Sequence, residues 1–248
     1  MKTKINPGFL LINKPIDVTS FDCIRFLRKR LPRSTKIGHA GTLDDFASGL
    51  LIICIGREAT RLVGSLMGLA KEYVVTAKLG ELTDSLDYNG KVLEQRIEPM
   101  PTRAALAQAL RSLQPSYTQI PPVYSALKHE GQPLYHLART GLMQHEDLSK
   151  IVEQKGRLVH IYEAMLIDYQ APLFTIQVSV SKGTYVRSLA NDMAQRIGLP
   201  ATTYRLERTK IGSLSLESAL KLNAFASLAD IQQHLIPVLE LQERVRAG

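Results

Sequence analysis

The segment Gly38-His39-Ala40-Gly41-Thr42-Leu43-Asp44-Asp45, with Leu50-Leu51-Ile52-Ile53-Cys54-Ile55 behind it, decides how the chain is read. Residues 34–49 hold too much glycine and too many polar side chains for a regular element, so a loop is expected there. The apolar run at 50–55 reads as a buried strand. Glycines at this density permit positive φ and let the backbone approach a ligand closely. An aspartate on such a loop, just ahead of a buried strand, can be aimed into a cleft. Taken alone, the reading of Asp44 or Asp45 as a turn former or as the cap of the next element is the stronger one.

Outward from this segment the pattern shifts between strand and helix periods. Residues 8–13 (GFLLIN) read as a first strand. Thr19 and Ser20 offer an N-cap, after which Phe21, Ile24, Leu27 and Leu31 recur at helical spacing. Arg25, Arg28, Lys29 and Arg30 take other positions of that helix, as a solvated face or as phosphate contacts. Residues 57–67 are expected to be helical, and 71–80 (KEYVVTAKLG) alternate as a strand. Asn89-Gly90 marks a hairpin turn ahead of residues 91–94. Asp87-x-Asn89-Gly90 opens like a calcium loop, but Arg96 stands where such a loop needs its closing glutamate, so only a turn is expected. Helices are expected over 102–113 and 132–140, two strands within 157–180, and an amphipathic helix over 184–197 that stops at Gly198-Leu199-Pro200. Hairpins mixed with packed helices point to an α+β fold with a mostly antiparallel or mixed central sheet flanked by helices.

Composition narrows the functional classes. The 31 lysines and arginines outnumber 23 acidic residues, for a net charge of +8. That excess favours a polyanionic partner, nucleic acid ahead of an anionic membrane surface. With 45% apolar residues over 248 positions, the chain can bury a sizeable core without disulfides or structural metal. Cys23 and Cys54 form no C-x-x-C pair and the six histidines show no metal-ligand spacing, which excludes a disulfide framework and a zinc site. Phe9–Ile12 is too short for a secretory signal and 50–55 too short to cross a bilayer, so a cytoplasmic protein without a membrane partner is expected.

Three more segments carry chemistry-bearing residues. Lys71-Glu72-Tyr73 opens a strand, and Tyr73 is either a core residue or an aromatic face for a nucleobase. In Ser181-Lys182-Gly183-Thr184-Tyr185-Val186-Arg187, Thr184 is the expected helix cap, with Tyr185 and Arg187 in the first turn. An arginine there opposes the helix dipole, so a nearby anion such as Asp44 is expected to compensate it, unless Arg187 lies at the surface. In Leu206-Glu207-Arg208-Thr209-Lys210-Ile211-Gly212 a strand is expected whose leucine packs and whose charges face solvent.

Taken in order, GHAGTLD, KEY, TDSLD (83–87), IPPVYSALKHEGQPLY (120–135), SKGTYVR and LERT ahead of Gly212 resemble the TruB family of tRNA pseudouridine synthases, over residues 8–212. The resemblance implies the pseudouridine-synthase fold, with a catalytic cleft over residues 1–212, and isomerisation of uridine 55 in the tRNA T-loop. It implies Asp44 as the catalytic carboxylate. It assigns His39 to holding the remodelled T-loop and Tyr73 to stacking on the flipped base. Tyr185, Arg187 and Leu206 would line the pocket, Arg187 pairing with the catalytic carboxylate. It implies no cofactor and no metal, the T-arm stem-loop of tRNA as partner, and a monomer.

The chain departs from the family pattern at four places. Asp45 replaces a proline, Glu207 replaces the first of two arginines, and Thr202 stands where a histidine is expected. Only 36 residues follow Gly212, so 213–248 is expected to be a short extension without a complete PUA-type RNA-binding module. The competing reading is a non-catalytic RNA-binding or tRNA-folding relative of the same fold. Asp44, Tyr73, Tyr185 and Arg187 are all present, which favours the enzyme.

Overall fold

The apolar run forms the strand Ser48–Ile55, buried at every position but Ser48. Both its faces are covered, which is why it reads as a continuous run and not as an alternation. This is a computed structural model describing residues 5–96 and 99–246. It divides into two compact units, one ending at Tyr73 and resuming at Leu206, the other spanning Val74–Arg205.

In the first unit Ser48–Ile55 is central. Gly8–Lys14 runs antiparallel on one side, with Gly8 opposite Ile55 and Lys14 opposite Gly49. The other side is shared. Ile37–His39 pairs antiparallel with Ile53–Ile55, while Glu207 and Arg208 run parallel beside Ser48 and Gly49. The strand at 37–39 falls where only loop was expected. A buried strand cannot leave its edge amides and carbonyls unpaired, and that demand outweighs the glycine content of the segment. Leu220–Lys221 lies parallel to Ile12–Asn13, and Ile236–Pro237 antiparallel to Gly8–Phe9. The sheet is therefore mixed. One face packs Phe9, Leu11, Leu50, Ile52 and Cys54 in a common core. The other packs Leu10, Ile12, Leu51 and Ile53 against Cys23, Ile24 and Leu27 of the helix Ser20–Arg28.

That helix opens on a capping box: Asp22 N–H donates to Thr19 Oγ1, and Thr19 N–H to Asp22 Oδ2. The buried stripe includes Cys23, Ile24 and Leu27, with Leu31 beyond the helix end. Phe21 does not join it. It is 60% exposed, with the Arg25 guanidinium 5.7 Å from its ring centroid.

In the second unit the long strand Arg157–Gln170 pairs antiparallel with Leu173–Val180 and with Ser116–Gln119. The strand Lys71–Leu79 shows the expected alternation, buried at odd positions. The Asn89-Gly90 turn is not a two-residue hairpin. Glu81–Thr83 pairs with Val92–Gln95, and the connection runs through 84–91. Its polar side chains bond inward, with Asp84 Oδ1 accepting from Lys91 N–H at 2.8 Å and Asp87 Oδ1 from Asn89 N–H at 3.1 Å. Only Leu134–Arg139 of the expected 132–140 helix is helical. The helix expected over 184–197 spans Val186–Gln195. Its N-cap is Tyr185, not Thr184, whose hydroxyl is turned to the Ser181 carbonyl.

Candidate active site

Four of the expected site residues, His39, Asp44, Tyr73 and Leu206, lie in the first unit, and two, Tyr185 and Arg187, in the second. In the first unit the segment from Gly41 to Asp45 is tied down at nearly every residue. Arg208 is 1% exposed. Its Nε donates to the Leu50 carbonyl at 2.8 Å, Nη2 to Gly41 at 3.1 Å and Nη1 to Thr42 at 3.5 Å. Ser20 takes both backbone groups of Leu43, accepting from its N–H at 2.9 Å and donating to its carbonyl at 3.2 Å. Lys14, fully buried, donates to the Asp45 carbonyl at 3.1 Å and also to Pro15 and Val18. Burial pushes the Lys14 ammonium down to about 8, while Asp45 and Asp44 pull it back up. Ala47 N–H closes the turn on the Asp44 carbonyl at 3.2 Å. Asp44 is thus bracketed on both sides by residues with fixed backbones, while it is itself only half-buried.

A close backbone approach makes this possible. Gly49 has φ +108°, and a Cβ there would lie 2.4 Å from the Arg208 carbonyl oxygen. Only glycine lets the two strands come near enough for Arg208 to reach the loop.

His39 ends the short strand that leads into this segment. Burial, and then the Arg208 charge, lowers its pKa, and its Nδ1 is buried with no hydrogen-bond partner among the described residues. Tyr73 and Leu206 are both buried. Beside Tyr73, Glu72 accepts from Thr209 Oγ1 at 2.8 Å and from Lys210 Nζ at 3.2 Å.

In the second unit Arg187 is 4% exposed, so it is no surface arginine. It is the second residue of the helix Val186–Gln195, and within this unit an anion of the kind its position calls for is Asp87, 3.3 Å from Nη1. The guanidinium also donates to the carbonyls of Ser85 and, at 2.9 Å, Tyr124. Asp87 is held in turn by Ser85 Oγ at 2.8 Å. The TDSLD segment is therefore a polar cradle for Arg187. Tyr185 is half-buried, with the Arg157 guanidinium 4.8 Å from its ring centroid.

Lys14, Ser20, Asp87 and Arg208 are not among the expected functional positions. Arg208 was expected to face solvent. It shares the inward side of its strand with Leu206, two residues away, and a strict period of two carries that signal. Lys14 ends the strand Gly8–Lys14, after Asn13, and Asp87 sits inside a segment already singled out. Among the described residues, no group of three or more His, Cys, Asp or Glu could hold a metal ion.

A family model described as TruB family pseudouridylate synthase (N terminal domain) matches residues 28–186, and the chain belongs to that family, whose enzymes are isomerases. The tRNA pseudouridine synthase B of Clostridium tetani is 38% identical over 230 residues, covering 93% of this chain and 76% of its own length. That of Bordetella avium is 38% identical over 236 residues, covering 94% and 93%. A chain in the crystal structure of a Cbf5-Nop10-Gar1 complex superposes with a TM-score of 0.68 at 22% identity, over 96% of this chain and 62% of that one. This chain therefore spans less than two thirds of that structure's, and the likeness is one of fold. The fold is the pseudouridine-synthase fold, with the expected mixed sheet flanked by helices.

Proposed function

We propose that the protein isomerises uridine 55 in the T-loop of tRNA to pseudouridine, acting as a cytoplasmic monomer on the T-arm. A uridine inside a folded T-loop is stacked and out of reach, so it must be flipped out and its stacking partners replaced. In this reading Tyr73 supplies the aromatic face, Leu206 and Tyr185 the pocket walls, and His39 the contact that holds the opened loop. Asp44 is the catalytic carboxylate, acting as nucleophile or as stabiliser of positive charge at the sugar. Arg187 serves as its cationic partner. The N1–C1′ bond breaks, the base turns, and C5–C1′ forms. The hydrogen on C5 leaves as a proton and N1 gains one, so no redox partner or phosphate donor enters.

One observation supports this above the rest: the backbone on either side of Asp44 is fixed by Arg208, Ser20 and Lys14 while Asp44 itself stays half-buried. A loop that served only as a turn would not need two buried cations to hold it. The test is tritium release from tRNA labelled at uridine C5. Asp44→Ala is expected to abolish release with tRNA binding retained, and Asp45→Ala to keep substantial activity. The reverse pattern sinks the assignment. Wild-type protein that binds tRNA and releases no tritium would be the non-catalytic relative.

A further inference from the structure

Behind Tyr185 runs a chain of polar groups, all within the second unit, that the reaction as described leaves unused. Gln119 ends the strand Ser116–Gln119 and is 1% exposed. Its carboxamide lies against the backbone of Tyr185. Tyr185 N–H donates to Gln119 Oε1 at 2.8 Å, and Gln119 Nε2 donates to the Tyr185 carbonyl at 3.0 Å. The second Nε2 hydrogen goes to Tyr117 Oη at 2.7 Å, and Tyr117 donates its own proton to Asp192 Oδ2 at 2.8 Å.

The donor and acceptor inventory permits one arrangement. Tyr185 N–H needs an oxygen, and its carbonyl, which also takes Leu189 N–H at 3.0 Å, can only accept, so the amide cannot be flipped. Once Tyr117 has given its proton to Asp192, its oxygen can only accept from Gln119. The chain also closes on itself. Tyr185 caps the helix and Asp192 lies seven residues further along, two turns on and on the same face. The strand therefore grips the helix at two points, and one of them is the peptide of Tyr185. No side chain caps this helix at Tyr185, whose backbone is extended at φ −90° and ψ 111°. Its ring has a second neighbour in the same ladder. Arg157 is the register partner of Gln119 and lies over the Tyr185 ring. A buried amide costs free energy unless its bonds are made, and here the oxygen and both amide hydrogens are used. Two of the three bonds go to the backbone of one aromatic residue, which points to placement of that residue.

We propose that Gln119, oriented by Tyr117 and Asp192, is a positioning residue for pseudouridylation: it fixes the Tyr185 backbone and so the place of the Tyr185 ring against the flipped base. This rests on the reading in which Tyr185 lines the uridine pocket.

The experiment measures single-turnover tritium release at saturating tRNA, together with equilibrium tRNA binding, in a double-mutant cycle. Misplacement of a pocket group by an ångström costs up to about a hundredfold in rate. Gln119→Met, which keeps volume and loses the bonds, is expected to slow turnover about 10- to 100-fold with affinity within about threefold. Gln119→Glu accepts from Tyr185 N–H but has no donor for its carbonyl, so it falls with Met and not with wild type. In a Tyr185→Ala background, adding Gln119→Met should cost less than about threefold more. Equal losses in both backgrounds overturn the proposal, as does an unchanged rate, or a weakened affinity with the rate intact. A Gln119→Met protein that melts more than about 10 °C below wild type makes Gln119 a core residue and also overturns it. If Tyr185→Ala alone turns over normally, the pocket assignment of Tyr185 has failed, and that result is distinct from any failure of Gln119.

Discussion

Replacing Arg208 by lysine tests how the segment around Asp44 is held. The charge stays, but a planar fork of donors becomes a single ammonium on an unbranched stem. Arginine reaches Leu50 from Nε, beside its stem, and Gly41 and Thr42 from its tip. One ammonium cannot do both. One or two charge-assisted bonds are lost, at about 1.5 kcal/mol each, the low end for charged donors because the Thr42 contact is long. The expected destabilisation is about 1.5–3 kcal/mol. At about 2–4 °C per kcal/mol for a chain of this size, the melting temperature should fall by about 3–12 °C. Gly41 and Thr42 are three and two residues from Asp44, so a relaxed loop should also slow single-turnover tritium release, by up to about a hundredfold. Affinity for tRNA should hold, since the lysine stays inside. Circular dichroism melts and the tritium assay on the same preparation decide it. A variant that melts and turns over like wild type refutes the argument. A lower melting temperature with a normal rate would leave Arg208 a stability residue with no hold on the carboxylate.

Two further expectations follow from exposed and buried charge. Lys29, at the C-cap of the first helix, and Arg33, in the segment just after it, are exposed, whereas Arg30 stacks 3.6 Å from the Phe26 ring centroid and bonds the Ala226 carbonyl. Lys29→Ala with Arg33→Ala should therefore make log K against log salt shallower by about 1.4–1.8, two phosphates' worth, and an unchanged slope would turn this helix away from RNA. Burial lifts the Asp192 carboxyl from 3.8 to about 6. The cost of ionising it in the fold is absent below about pH 3.8, grows as pH rises through that window, and is complete above about pH 6, reaching up to about 3 kcal/mol. Asparagine keeps an acceptor for Tyr117 without the charge. Asp192→Asn should then stabilise most at about pH 7.5 and least at about pH 4.5, and a gain independent of pH contradicts the cause given.

Elements buried on both faces or on strict alternation were legible in the sequence. Ser48–Ile55 and Lys71–Leu79 announce themselves because burial alone dictates their composition. The candidate site is legible as residue types in order, not as a geometry. Arg208 and Lys14 were missed for a shared reason. A buried cation is explained by the carbonyls it satisfies, and for each of these two at least one lies in a loop far along the chain. Lys14 serves Asp45, 31 residues away, and Arg208 serves Gly41, 167 residues away. Gln119 was invisible for the same reason, its partner Tyr185 being 66 residues off. Phe21 fails in the opposite direction. Helical spacing places it on the stripe, but the buried positions of the helix are Ser20, Cys23, Ile24 and Leu27.

Asp45 stands where the family pattern has proline, and a proline ring would limit φ directly. Such a ring stabilises by about 0.4–1 kcal/mol, chiefly by restricting the unfolded chain. Here the loop is held from outside. Asp45 Oδ1 accepts from Phe46 N–H at 2.9 Å, and Lys14 holds the Asp45 carbonyl. The added carboxylate faces a buried ammonium that it helps to keep charged. Of these contacts, only those made by the carboxylate depend on the side chain. The Lys14 bond is to the backbone and survives Asp45→Ala, as do the Ser20 bonds to Leu43 and the Arg208 bonds to Gly41 and Thr42. That is the physical ground for expecting Asp45→Ala to stay active while Asp44→Ala does not: the first change leaves the scaffold of the loop standing, and the second removes the group the scaffold presents.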